Sequence, residues 1–289
     1  LTQYDTQDSG GSETVMWYRV RKSWDDSKSQ KGAFKILDNA KKCADQNPGY
    51  KVFDADGNVK IGYVGAFNYA EVVSGYTSFY LGAKSVCPSV TMKVEFTGSW
   101  YDEAKEKEAA VKLINEGCVL ISQHADSMGA PSACEEAGVP NVSYNGSTVA
   151  ACPNTFIVSS RINWAPYYEY VVNTLVKGEK VDNDWTGTIE TGSVVLTDVN
   201  TKAAAEGTVE KIAAVKEAIL KGEVNVFDTK NFTLEGKAVE SYKADVDTDA
   251  DYTPDTEVVE NGVFFESKFR SAPYFDLKID GIELLNTAF

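Results

Sequence analysis

Ile61-Gly62-Tyr63-Val64-Gly65 is a short apolar run that leads into a loop, Ala66 to Tyr69, and then into a helical pattern from Glu71 to Ser85. Thr91 to Phe96 alternates as a strand. Asp102 to Glu116 reads as an Ala/Lys/Glu-rich helix, capped by Asp102 and ended by Gly117. Cys118 to Ser122 reads as a buried strand, Ser127 to Ala137 as a helix and Val139 to Tyr144 as a strand. Strand and helix thus alternate repeatedly, which predicts an α/β fold with a parallel sheet covered by helices on both faces.

Working outward, Thr155 to Ser159 reads as a further strand, followed by Arg161 to Tyr168 and a helix running to Lys177. Short strands are expected at Gly187 to Glu190, Ser193 to Leu196 and Val224 to Phe227, with a helix from Thr208 to Leu220. The last stretch is loop-rich, with a hairpin near Val258 to Phe265. Toward the amino end, Leu1 to Glu13 is polar and Gly/Ser-rich. Val15 to Arg21 alternates as a strand, Gly32 to Asp45 has helical spacing, and Asn47-Pro48-Gly49 stops that helix before the strand Tyr50 to Phe53. The turn Asp54-Ala55-Asp56-Gly57-Asn58 closes this small β-α-β unit. The expected organisation is a flexible lead-in over 1–14, the small unit over 15–58 and the main α/β region over 59–289.

The chain has 289 residues, with 43 Asp and Glu against 28 Lys and Arg, a formal charge of −15. A nucleic-acid backbone binder needs clustered cations that release counterions, and this balance argues against one. No stretch approaches the roughly 20 apolar residues that span a bilayer. Leu1 begins a polar segment rather than a signal peptide, so any leader or lipid anchor is expected upstream of it. The five cysteines form no CxxC pair and no Cys/His spacing suited to zinc, and their odd number argues against a disulfide framework. Buried structural thiols are expected, with no metal and no cofactor.

In an open parallel sheet, ligands meet the loops at the carboxyl ends of the strands. Here those loops hold Phe67, Trp100, Gln123, His124, Asp126 and Asn145, with Trp164 following the next strand. Rings and short polar side chains without a glycine-rich cradle suit a flat, hydroxylated neutral molecule better than a phosphate. Trp100 and Trp164 follow strands in loops on the side where a ligand would enter, and flat stacking surfaces there imply an aromatic ligand such as a nucleobase. His124, Asp126 and Ser127 lie too close along one loop to form a catalytic triad, and no GxSxG elbow exists. No enzyme is expected. Asp245 to Asp251 starts like a calcium loop but has Ala250 at the sixth position and Thr256 at the twelfth, where chelation is decided. Asp102, Glu103, Glu106 and Glu108 alternate with Lys105 and Lys107, which reads as a salt-bridged solvent face.

From about Asp54 onward, the blocks Lys60 to Phe67, Gly98 to Glu108, Gln123 to Ser127, Tyr144-Asn145 and Asn163 to Tyr168 resemble, in order, the basic membrane protein family of solute-binding lipoproteins. That resemblance implies a type I periplasmic-binding-protein-like fold of two α/β lobes closing over a ligand. It also implies a purine-nucleoside-like ligand, an ABC transporter permease as partner, and an extracytoplasmic place with a lipid anchor. By the same resemblance Asn145 contacts the ribose, and Phe67, Trp100 and Gln123 flank the cleft. The family carries a longer segment before the Lys60 block, so the first lobe is expected to be incomplete. Trp17 to Phe53 is instead similar to the SPOR-like segments of cell-wall amidases, which implies peptidoglycan as a further partner.

Overall fold

The structure is a computed structural model and describes residues 3–4, 18–24, 26–54, 57, 59–247 and 249–287. Most of the expected lead-in, Val15 to Trp17 of the first expected strand, three residues of the 54–58 turn and Thr248 of the acidic loop lie outside the described residues. The amino-terminal unit holds β1 (Gln3–Tyr4), β2 (Tyr18–Arg21), β3 (Gly32–Phe34), α1 (Leu37–Asp45) and β4 (Lys51–Phe53). β2 is central and antiparallel to both β3 and β4, while β1 pairs parallel with β3. The helix expected from Gly32 therefore begins at Leu37, because Gly32-Ala33-Phe34 is buried throughout and hydrogen-bonds to β2 as a strand. Tyr18, Val20, Phe34, Ala40 and Cys43 form the unit's own core.

Beyond it run β5 (Val59–Gly65), α2 (Ala70–Val86), β6 (Val90–Phe96), α3 (Glu103–Asn115), β7 (Ile121–Gln123), α4 (Gly129–Ala137), β8 (Asn141–Tyr144), β9 (Phe156–Ile162), α5 (Ala165–Val176), β10 (Val194–Leu196) and α6 (Thr208–Leu220). Four two-residue strands follow: β11 (Lys243–Ala244), β12 (Thr256–Glu257), β13 (Val259–Glu260) and β14 (Val263–Phe264). Last comes β15 (Ile282–Leu284). One seven-stranded sheet has the order β10-β9-β8-β7-β5-β6-β15, parallel except at β10. The first strand of the alternating region thus sits between the second and the third. The chain leaves β5 toward β6, then crosses back to β7 on the other side, which opens a crevice between the loops that follow β5 and β7.

The sheet is covered on both faces, as the alternation predicts. Ile61 and Tyr63 of β5 pack with Val72, Val73, Tyr76 and Tyr80 of α2. Val64, pointing the other way, packs with Ala110 and Leu113 of α3 and Ala130 and Cys134 of α4. Gly62 shares that second face, where a Cβ would lie 2.6 Å from Ile121 Cδ1 and 3.1 Å from Leu113 Cβ. Gly129 lets α4 touch α3, since a Cβ there would lie 2.2 Å from the Glu103 carbonyl oxygen.

The carboxyl-terminal stretch wraps the α2 face and adds Phe227, Phe264 and Phe275, stacked or edge-on at 4.5 and 4.8 Å around Phe275. Its hairpin β13–β14 is as expected. Val224 to Phe227 and Gly187 to Glu190 are turns and loop rather than strands. β15, which no sequence pattern announces, joins the sheet beside β6. Among the described residues there is one parallel sheet, and no helix is long and apolar enough to cross a membrane.

Candidate functional site

Five rings line the crevice at the carboxyl ends of β5, β6, β7 and β8. Phe67 stacks on Tyr69 with ring centroids 5.1 Å apart and 15° between planes, and Trp100 meets Phe67 edge-on at 5.1 Å. Trp100 lies 6.0 Å from the His124 ring, which in turn stacks on Tyr144 at 4.5 Å. Tyr69 and Trp100 are exposed, whereas His124 is buried beneath them. The result is a continuous aromatic wall whose outer half faces solvent, the arrangement that binds the flat face of a ring system.

At one end of the wall, Asn145 Nδ2 donates to Asp126 Oδ1 at 2.9 Å. Asn145 has φ 62°, a left-handed conformation that asparagine tolerates better than most side chains, and its N–H donates to the Ser160 carbonyl at 2.8 Å. Its backbone is thereby fixed to β9 while its exposed amide reaches over to the loop after β7. The Asp126 N–H donates to the Trp100 carbonyl at 2.9 Å, so the loops after β6, β7 and β8 are tied together under the wall.

His124 Nε2 lies 3.5 Å from Glu71 Oε1 at the start of α2. Burial pushes the imidazole below its ordinary pKa, against the opposite pull of Glu71 and Asp126. The ring is therefore neutral near pH 7 and behaves as an aromatic surface with one donor. Glu106, fully buried, accepts hydrogen bonds from the Asp102 N–H at 3.0 Å and from the Ser127 N–H at 3.0 Å. Burial raises its pKa against these hydrogen bonds. This corrects the expectation of a solvent face for Glu106: its carboxylate clamps the amino end of α3 to the loop that carries His124 and Asp126.

The structure thus brings Phe67, Trp100, His124, Asp126 and Asn145 together. Gln123 lies beneath them, buried, its amide donating to the Ala125 carbonyl at 3.2 Å and accepting from Asn141 Nδ2 at 3.3 Å, so it shapes the loop rather than facing outward. Trp164 stands apart, with its ring among Tyr167 and Tyr168 at 6.3 and 6.4 Å. Tyr69, in the same Ala66–Tyr69 loop as Phe67, and Glu71, at the start of the helix after it, join this group, although neither was expected among the site residues. A cavity of about 470 Å³ opens next to Asn145, lined by Gly146, Ser147, Arg161, Thr197 and Asp198 among others.

Ser127 Oγ accepts from the Gly129 N–H at 3.1 Å, an assignment within its own loop. The described residues include no group of three His, Cys, Asp or Glu placed to hold a metal ion. The five cysteines are free thiols, and burial pushes Cys118 and Cys134 up to about 12, far from a reactive thiolate.

The sequence is 34% identical over 170 residues to a protein of Haloferax volcanii whose name assigns it as an ABC transporter glucose-binding protein, covering 59% of this chain and 43% of that one. It is 34% identical over 168 residues to a purine-binding protein of Brucella abortus, covering 57% of this chain and 47% of that one. The chain therefore spans less than half the length of these curated relatives. Among solved structures, an ABC transporter solute-binding protein from Conexibacter woesei superposes with a TM-score of 0.49 at 22% identity, over 57% of this chain and 56% of that one. Residues 55–230 match the family described as ABC transporter substrate-binding protein, PnrA-like. That stretch contains the crevice, its aromatic wall and the Asp126–Asn145 pair, and the chain belongs to this PnrA-like family of substrate-binding proteins.

Proposed function

We propose that the chain is the ligand-binding component of an ABC transporter, working outside the cytoplasm under an amino-terminal lipid anchor, and that it takes a purine nucleoside or a closely similar molecule. The observation that carries this reading is the wall of Phe67, Tyr69 and Trp100 standing beside the Asp126–Asn145 pair. A base stacks on the rings, while the neighbouring carboxylate and amide suit the hydroxyls of a sugar. The absence of lysine or arginine among these side chains favours a neutral ligand over a nucleotide. The purine-binding Brucella relative supports the same choice, and the Haloferax relative makes glucose the sugar-only comparison. Calorimetric titration with adenosine, guanosine, inosine and glucose tests it. Saturable heat with a nucleoside and none with glucose supports the reading; silence with every nucleoside at millimolar concentration removes it.

A second reading concerns the amino-terminal unit. Residues 18–53 hold nine Lys and Arg against four Asp, opposite in sign to the chain as a whole. Arg21 lies over the Trp24 ring at 4.8 Å and Lys31 over Tyr50 at 5.3 Å. Such a basic, aromatic surface suits an anionic polymer, which agrees with the peptidoglycan partner its SPOR-like resemblance implies. Sedimentation with purified cell walls checks it: a chain left wholly in the supernatant rules this partner out.

A further inference from the structure

Two carboxylates border the aromatic wall, and neither meets a positive charge. Glu71 opens α2 beside Tyr69 with its side chain 54% exposed, and its one ionic contact is His124 Nε2 at 3.5 Å. That imidazole is neutral near pH 7, since burial outweighs the pull of Glu71 and Asp126. The carboxylate of Asp126, also exposed, meets the uncharged amide of Asn145. Both charges reach one ring of the wall: burial first, and then Glu71 and Asp126, push the hydroxyl of Tyr144 up, and Tyr144 is the ring stacked on His124. Among the described residues no lysine or arginine forms an ion pair with either carboxylate, and Arg161, in the neighbouring cavity, reaches neither. The amino end of α2 contributes roughly half a positive charge, which offsets Glu71 only in part. The amino end of α3 already faces Asp102, Glu103 and Glu106.

We propose that the crevice selects a flat ring that carries a positive charge, so that among nucleoside-like ligands it prefers one whose base is made cationic by methylation of a ring nitrogen. The inference rests on the nucleoside reading above and adds to it the charge of the base. A cationic ring gains twice over a neutral one. Its charge lies against the electron-rich faces of Phe67, Tyr69 and Trp100, and it supplies the counterion that Glu71 and Asp126 lack. Charge attraction acts across several ångströms, so the Asp126–Asn145 pair stays available to sugar hydroxyls. The net charge of −15 works in the same direction, drawing a cation toward the chain and repelling an anion.

Calorimetric titration of the full chain near pH 7 with adenosine, 1-methyladenosine and N6-methyladenosine tests this. The first methylated isomer is a cation at that pH, while the second carries the same methyl group without the charge, so size and charge are separated. 1-Methyladenosine should bind about tenfold more tightly than N6-methyladenosine, and the ratio should narrow as salt rises. Glu71→Gln and Asp126→Asn should each cut the ratio by about threefold. Because the ratio compares two ligands on one folded protein, a loss of stability does not imitate a loss of preference. Equal affinity for the two isomers, tighter binding of the neutral one, or a ratio that neither salt nor either variant changes overturns the inference and leaves the nucleoside reading standing. Silence with all three nucleosides removes that reading and the inference together.

Discussion

Asn145 and Asp126, nineteen residues apart on the loops after β8 and β7, meet at 2.9 Å, amide to carboxylate, on the rim of the aromatic wall. The carboxylate keeps unused acceptor capacity and the amide carbonyl is likewise free to accept, so the pair offers a ligand hydroxyl both a charged and a neutral partner. Because Asn145 holds a left-handed backbone, the side chain can be tested apart from the loop. Asn145→Gly keeps that conformation at no steric cost and removes the amide; nucleoside affinity should fall by about 1–3 kcal/mol with little change in melting temperature. Asn145→Ala should lose the same affinity and in addition about 1 kcal/mol of stability through backbone strain. Calorimetry and thermal melting on both variants separate the two effects.

Trp100 is the exposed ring in contact with Phe67 on one side and near His124 on the other. A base stacked on it should quench or shift its fluorescence on binding. Trp100→Ala should weaken binding by about 1–3 kcal/mol, whereas Trp100→Phe keeps a flat surface and should recover most of it. Equal losses in both variants would show that the indole is not a stacking surface.

Glu106 gives a stability test that needs no ligand. Its raised pKa means that the folded state holds the proton more tightly than the unfolded chain does. This group's contribution is therefore full below the ordinary glutamate value and declines as pH rises through the folded value. Glu106→Gln should flatten that part of the melting temperature against pH. Glu106→Ala leaves the N–H groups of Asp102 and Ser127 without their partner and should cost about 2–4 kcal/mol.

Glu106 also shows where sequence reading succeeds and fails. The parallel core from β5 to β8 was legible because apolar strand segments alternate with the helical periods of α2, α3 and α4, so that even the short β7 and β8 are marked by the helices that precede them. The phase of α3 was legible as well: Glu106 falls on the stripe of Ala110 and Leu113, four and seven residues on, all buried. The flanking lysines masked that stripe by suggesting a charged surface. Gly32-Ala33-Phe34 failed for another reason, since three buried residues have no period and only pairing with β2 makes them a strand. β15 is equally short, and its partner β6 lies far back in the chain. Of the site, the loops of Phe67, Trp100, His124, Asp126 and Asn145 followed from strand ends alone. Gln123 and Trp164 did not, because a strand end fixes a position in the chain and not the direction of a side chain: Gln123 turns into its own loop, and Trp164 turns toward α5.

His124 is the chain's single histidine, so its ring protons can be followed by NMR without assignment. Two influences oppose each other at this ring. Glu71 at 3.5 Å and the Asp126 carboxylate favour the charged form, while burial under Trp100 and against Tyr144 disfavours it, and burial prevails. The titration midpoint should lie below the ordinary value of 6.5. Since the unfolded chain then binds the proton more readily, this group's contribution to stability is present above pH 6.5 and is lost as pH falls from there through the folded value. The same protonation places a charge beneath the aromatic wall, so Trp100 emission should change with the same midpoint. His124→Gln should remove both responses. Glu71→Gln removes a carboxylate that favours the charged ring and should lower the midpoint further; a rise in that variant would mean that Glu71 does not act on His124 as a charge.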